Sequence, residues 1–252
     1  MLKKITQNKN KFAPKGLVHE VEKLYKNKKF DDALVLALEI IKKYPETVII
    51  QNILGIIFFI QKNLKLSLNH FREALRLDSS NSDIYNNLGI CLIEMGSYED
   101  AIKILNYALL NKPKAPEVFN NIGIAYEELE DYENSIIYYK KAISQKETYA
   151  EAYNNLGSVH QKMKEYDKAK IFLNYAIKFD PKLEDAYHNI GKLNDITGNF
   201  ILAKAAYQKA ISLNPRNSKH YIELGNIYLK ELNFRISKLR DSYYCLRPMG
   251  KT

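Results

Sequence analysis

The chain has no tryptophan, only two cysteines, seven prolines and ten glycines in 252 residues. Cys91 and Cys245 stand far apart and form no C-x-x-C pair, so neither a disulfide framework nor a cysteine zinc site can be built from them. A reducing interior is the default setting for such a chain. So few glycines and prolines argue against an all-β architecture, which needs a turn every few residues. The opening MLKKITQNKNKFAPKG is polar and lacks the apolar core of a signal peptide. The greasiest run, Ile49 to Ile60, is too short to span a bilayer and is interrupted by Gln51 and Asn52. A cytoplasmic location without membrane contact is therefore expected.

Charge of one sign is also lacking where it would matter. The net charge is +9, but residues 1–47 hold eleven lysines against six acids, and residues 216–252 hold eight basic residues against three acids. The middle of the chain carries nineteen basic and twenty acidic residues. A phosphate-binding stripe should run along the fold. Basic excess confined to the two ends reads instead as solvated terminal segments, and nucleic acid is disfavoured as a partner. The apolar fraction of 46% and charged fraction of 27% are those of an ordered globular protein.

What the sequence does have is a period. Gly55, Gly89, Gly123, Gly157, Gly191 and Gly225 are each separated by 34 residues. Nine positions past each glycine site stands a large residue (Phe30, Leu64, Tyr98, Tyr132, Tyr166, Phe200, Phe234), and three later a small one (Ala33, Ser67, Ala101, Ser135, Ala169, Ala203, Ser237). Seven beyond that lie Ala74, Ala108, Ala142, Ala176 and Ala210, and Pro45, Pro113, Pro181 and Pro215 close several units. Four residues before the glycine come Tyr85, Phe119, Tyr153, Tyr187 and Tyr221. Self-similarity at such a period signals a repeat architecture.

Each unit reads as two amphipathic helices joined by a short turn: Ile84, Tyr85, Leu88 and Leu92 recur at helical spacing, as do Ala101, Leu105 and Ala108 after the turn Gly96-Ser97-Tyr98. A mid-helix glycine costs about 1 kcal/mol against alanine. Six of them predict a compensating close approach of the two helix axes. Proline disfavours the α conformation of the residue before it and so ends the second helix.

These residues resemble the tetratricopeptide repeat family, most fully in 150–183 and 184–217. In style they are closest to the repeats of O-linked N-acetylglucosamine transferases and of bacterial tetratricopeptide-containing proteins. The resemblance implies an all-α fold, a right-handed superhelical solenoid of about seven helix-turn-helix units. The expected organisation is a disordered basic segment 1–13, and an array 14–231 with units near 14–47, 48–81, 82–115, 116–149, 150–183 and 184–217. A partial unit 218–231 and a degenerate capping helix and tail over 232–252 follow. Val21 stands where the first glycine belongs, as in an atypical capping repeat. Phe234 to Leu246 is the expected second helix of the last unit, with Asp241 and Tyr244 where aliphatic and alanine residues belong.

Catalytic chemistry is hard to place. Gly250-Lys251-Thr252 looks like the end of a phosphate loop, but Cys245 occupies the required glycine position and no strand precedes it. His19, His70, His160, His188 and His220 show no i,i+4 pairing, and His160 falls at a core position held by Leu92 and Tyr126 in other units. Glu127-Glu128 and Glu130-Asp131 are adjacent residues that diverge on a helix, so they cannot act as an acid/base pair. No enzyme, metal or cofactor is expected.

One polar feature resists a purely structural reading. Asn87, Asn121, Asn155 and Asn189 stand two residues before the glycine, with Asn52, Asn86, Asn120 and Asn154 three before it. Asparagine competes for backbone hydrogen bonds and is a mediocre helix former. The N-N-L-G segments are similar to those of the transferase repeats, and the resemblance implies that the second asparagine binds the backbone of an extended peptide on the concave face. An amide offers both donor and acceptor to any peptide group. Asp83, Glu117, Glu151 and Asp185, four residues earlier, share that face and favour basic or Ser/Thr-rich segments. The competing reading is hydrogen bonding between repeats, with the acids complementing helix N-termini. Ile56, Ile90 and Ile124 replace the asparagine of the clamp with which related arrays grip chaperone tails, so that ligand is disfavoured.

The expected function is a protein–protein interaction scaffold that takes an extended peptide in its concave groove. The alternative is the targeting module of a sulfotransferase- or glycosyltransferase-type enzyme whose catalytic domain lies outside this chain. A third reading, one RNA base per repeat, is opposed by the first-turn acids.

Overall fold

The structure, a computed structural model, describes residues 11–245, with side chains described to Leu239. Residues 1–10 of the basic N-terminal segment, and the Gly250-Lys251-Thr252 triplet, lie outside the described residues. The described residues form α-helices and no strand. Five pairs are α1 (Lys15–Lys26) with α2 (Phe30–Lys43), α3 (Val48–Ile60) with α4 (Leu64–Leu77), α5 (Ser82–Glu94) with α6 (Tyr98–Asn111), α9 (Ala150–Lys162) with α10 (Tyr166–Phe179), and α11 (Glu184–Ile196) with α12 (Phe200–Leu213). Between them in sequence come α7 (Pro116–Glu128) and α8 (Tyr132–Gln145), and α13 (Ser218–Cys245) closes the series. The chain divides into two compact units, one ending at Tyr138 and the other beginning at Tyr139, inside α8. No helix among the described residues is long and apolar enough to cross a membrane.

The turns inside the units share one design. The residue two before each aromatic or leucine of the second helix takes a left-handed conformation: Lys28 (φ 59°), Lys62 (61°), Gly96 (76°), Glu130 (59°), Lys164 (62°) and Gly198 (77°). The next N–H then reaches back five residues, from Asn63 to the Phe58 carbonyl at 2.9 Å and from Asn199 to that of Asn194 at 2.7 Å. This satisfies carbonyls that the helix end would leave unpaired. Glycine reaches this conformation freely, whereas lysine and glutamate adopt it at a cost of roughly 1 kcal/mol.

The repeat glycines do admit a second helix. A Cβ at Gly55 would fall 2.5 Å from Phe71, at Gly89 2.5 Å from Leu105, at Gly157 2.7 Å from Leu173 and at Gly191 2.7 Å from Tyr207. In every case the intruding residue lies sixteen positions on, in the second helix of the same pair. Phe71, Leu105, Leu173 and Tyr207 are almost wholly buried, as are Ala74, Ala108, Ala176 and Ala210 one turn further. Burying a side chain such as Leu105 or Leu173 contributes about 1.5–3 kcal/mol. Across the same seam Tyr85 stacks on Tyr107, with centroids 5.8 Å apart, and Tyr153 meets Tyr175 at a tilt, with centroids 5.4 Å apart. In the first pair the sizes are exchanged, since Val21 takes the glycine position and Ala37 the large one, both wholly buried in one cluster.

The expectation for the last unit is corrected. No turn separates 218–231 from a capping helix; α13 runs unbroken for 28 residues. Leu232 occupies the position that is left-handed in every earlier unit. Leucine has neither glycine's freedom nor a polar tip, and it continues the helix instead. The first half of α13 docks through Leu224 and the wholly buried Ile227 on Ala203 and Tyr207 of α12. Lys204 to Glu231 at 2.7 Å and Lys230 to Asp195 at 2.6 Å hold its course. Its other face is uncovered, and Gly225 has nothing within 4 Å of an added Cβ.

Candidate functional site

The asparagines lie mid-helix on the first helix of each pair, where the neighbouring pair's first helix runs alongside. In the first compact unit, Asn87 Nδ2 donates to Asn52 Oδ1 at 3.1 Å and Asn121 Nδ2 donates to Asn86 Oδ1 at 2.9 Å. In the second, Asn189 Nδ2 donates to Asn154 Oδ1 at 2.9 Å, and Asn154 Nδ2 donates to Asn155 Oδ1 at 3.4 Å. In the Asn86/Asn87 doublet one asparagine thus takes and the other gives, and these bonds clip neighbouring first helices together within each unit. Such a bond contributes about 1 kcal/mol, and more when the acceptor is buried as Asn154 is. Among the described residues, Asn87, Asn121 and Asn189 accept no hydrogen bond at Oδ1 and use one of their two amide N–H groups. Each is half-buried.

The four acids are first-turn residues and all are exposed. Each complements the positive end of its helix. Asp83 also lies 3.6 Å from Lys112, at the far end of the partner helix. The strip that carries each ladder asparagine continues one turn on with Ile90 and Glu94 in α5, Ile124 and Glu128 in α7, and Lys192 and Ile196 in α11. Glu94 pairs with Lys62 at 2.7 Å. In α3 the same strip is apolar, with Ile49 and Ile60 nearly half exposed.

The ladder does not continue into α13. His188 stands at the acceptor position, and its Nδ1 lies 3.1 Å from that of His220, which is 1% exposed. Burial, with the neighbouring His220 charge, lowers the His188 pKa. Glu184 takes Asn214 at 2.9 Å and Asn217 at 3.1 Å and lies 3.5 Å from His220 Nε2. Burial opposes its ionisation, but these hydrogen bonds outweigh it and hold the carboxyl below its usual range. Sequence reasoning missed this knot; the available signal was a histidine standing in the asparagine register. His160 is packed as expected, stacked on Phe172 with 5.2 Å between centroids and held to Glu165 at 2.6 Å. Burial raises the Cys91 thiol pKa. Among the described residues, no group of three His, Cys, Asp or Glu could hold a metal ion.

Helix pairs on a 34-residue step, closed by a shared turn and a glycine seam, define a helical-repeat protein. The chain belongs to the tetratricopeptide repeat family: five of its family models match, over residues 20–82, 58–120, 114–182, 184–217 and 206–245. A tetratricopeptide repeat protein from Parabacteroides merdae is similar in structure (TM-score 0.75, 14% identity, 84% of this chain and 83% of that one). So is PilW, a widely conserved type IV pilus biogenesis factor (TM-score 0.74, 16% identity, 86% and 100%). PilF of Pseudomonas aeruginosa is another (TM-score 0.67, 18% identity, 85% and 96%). At these identities the likeness is one of fold. No curated protein matches the chain. As a tetratricopeptide repeat array the chain is of the protein-interaction scaffold type.

Proposed function

We propose that the chain holds extended, basic protein segments along the exposed strips of its first helices, with Asn87 and Asn121 contacting a segment's backbone in the first unit and Asn155 and Asn189 doing so in the second. The observation that carries this reading is the half-used amide of Asn87, Asn121 and Asn189, each with an acceptor oxygen and one N–H left over. A peptide group needs one donor and one acceptor, so it pairs with such an amide whatever its side chain. Asp83, Glu117, Glu151 and Asp185 give the strips their preference for lysine and arginine. The isoleucines of α3 would seat an apolar residue beside the basic run.

A display library of extended peptides provides the probe, followed by anisotropy titration of a selected binder. Affinity in the micromolar range is expected. Asn87→Ala with Asn121→Ala should weaken binding about tenfold or more, equivalent to about 1.4 kcal/mol. Asn52→Ala with Asn86→Ala breaks the same two inter-helix bonds but leaves the presented amides, so it should alter affinity less than about twofold. Equal losses from both double variants would show that the asparagines only join repeats.

A further inference from the structure

Within each compact unit, neighbouring first helices are joined amide to amide: Asn87 donates to Asn52, Asn121 to Asn86 and Asn189 to Asn154. None of these groups titrates. The joint between α11 and α13 is built differently. His188 stands at the acceptor place of Asn52, Asn86 and Asn154. Glu223 stands at the donor place and, as a carboxylate, has no N–H to give. His220, 1% exposed, makes the joint instead, its Nδ1 3.1 Å from that of His188. The Glu184 carboxylate lies 3.5 Å from His220 Nε2 and only accepts, which puts the proton of neutral His220 on Nε2. His220 Nδ1 is then an acceptor, and His188 donates to it through Nδ1–H. The rest of the docking is slight. Leu224 and Ile227 pack on Phe200, Ala203 and Tyr207, and the ion pairs Lys204–Glu231 and Lys230–Asp195 flank them.

We propose that this joint makes α13 an acid-released helix: neutral imidazoles dock it on α11, and protonation of the pair lets it go while the helices before it stay folded. The reason lies in the protons each state can hold. Docked, the lone pair of His220 Nδ1 is occupied by the bond from His188, so a proton added there breaks the joint and sets two N–H groups against each other at 3.1 Å. The lone pair left to His188 is on Nε2 of a half-buried ring. Burial, with the neighbouring His220 charge, lowers the His188 pKa; Lys192 acts the same way, and Glu223 and Asp185 pull against it. Tyr207 of α12 meets the ring edge-on with centroids 5.5 Å apart, and burial raises its own pKa out of this range. Undocked, His188 takes its proton as a free histidine does, near pH 6.5. The undocked chain therefore binds more protons as pH falls, so docking is complete above about pH 6.5 and weakens below it. A single helix without tertiary contacts is marginal in water, so release shows as lost helix protection.

Hydrogen exchange of the full chain, read by mass spectrometry as protection factors so that the pH dependence of the chemical step divides out, follows this docking. Between about pH 7.5 and about pH 5.5 the protection of residues 218–231 should fall about tenfold, the effect of one extra proton over about two pH units. That of α9 and α10 should change less than about twofold. His188→Gln keeps a hydrogen-bonding side chain that does not titrate, and its protection over 218–231 should agree at the two pH values within about twofold. Glu231→Gln separates weak docking from lost titration. It removes the Lys204 ion pair and leaves both histidines, so protection should drop at both pH values and the fall of about tenfold between them should remain. Unchanged protection of 218–231 across this range overturns the proposal. So does a fall shared equally by α9 and α10, a fall that persists in His188→Gln, or one that Glu231→Gln abolishes.

Discussion

The pair α11/α12 and the helix α13 that follows it carry the same signature and end differently. Gly191 and Gly225 stand one repeat apart, each with a leucine or isoleucine before it and an aromatic four back. A side chain at Gly191 would strike Tyr207, whereas one at Gly225 would meet empty space. What separates them is the residue seven places on, left-handed Gly198 in one and helical Leu232 in the other. The periodic residues encode how two helices pack once they meet; the turn decides whether they meet.

Substitutions sharpen this contrast, beginning with the largest effect. Leu173→Ala empties a wholly buried site opposite Gly157 and should cost about 2–5 kcal/mol in urea unfolding. Phe234→Ala, at a repeat position but 53% exposed on α13, should cost less than about 1 kcal/mol. Gly191→Ala should destabilise by about 1–3 kcal/mol through overpacking. Gly225→Ala should stabilise by up to about 1 kcal/mol as an ordinary helix substitution. If both glycines respond alike, the seam is not what distinguishes them.

The turns offer a smaller test. Lys164→Gly relieves a left-handed lysine and should raise stability by about 1 kcal/mol. Leu232→Gly, inside a helix, should lower it by a similar amount. The smallest effect is that of pH. The His188 pKa is lowered in the folded chain, so the unfolded chain binds its proton first as pH falls. Stability from this site is present above pH about 6.5, the usual histidine value, and declines below it. Groups facing His188 are His220 and Glu223 of α13, Asp185 and Lys192 of α11, and Tyr207 of α12. His188→Gln should flatten the part of the thermal-melt pH profile that lies between about 7.5 and 5.5.

Much of the fold was legible in the sequence because packing repeats, and repetition shows in one chain. The 34-residue glycines predicted close helix approach, and the neighbours at Gly55, Gly89, Gly157 and Gly191 supply its reason. The exchange at Val21 and Ala37 was half legible: the missing glycine was visible, but the compensating alanine needed the distance of sixteen residues to be known. The unbroken α13 was missed because Phe234 and Ser237 keep the repeat register, and a register is silent about the backbone angle at Leu232. For the candidate site, sequence located the asparagines. It left open that Asn87 donates to the neighbouring helix while Asn86 accepts, and that depends on the stagger between neighbouring helices.

The central claim is that α13 is one helix where the repeat pattern expects two. Spin labels at Asn226 and Lys238, in chains diluted with unlabelled chain, measure this directly by pulsed dipolar spectroscopy. A continuous helix places these positions about 18 Å apart, at 1.5 Å per residue. A narrow distribution near that distance is the expected result. A distribution near the roughly 10 Å between neighbouring antiparallel helices would show that the chain turns at Leu232 after all, and would contradict the account.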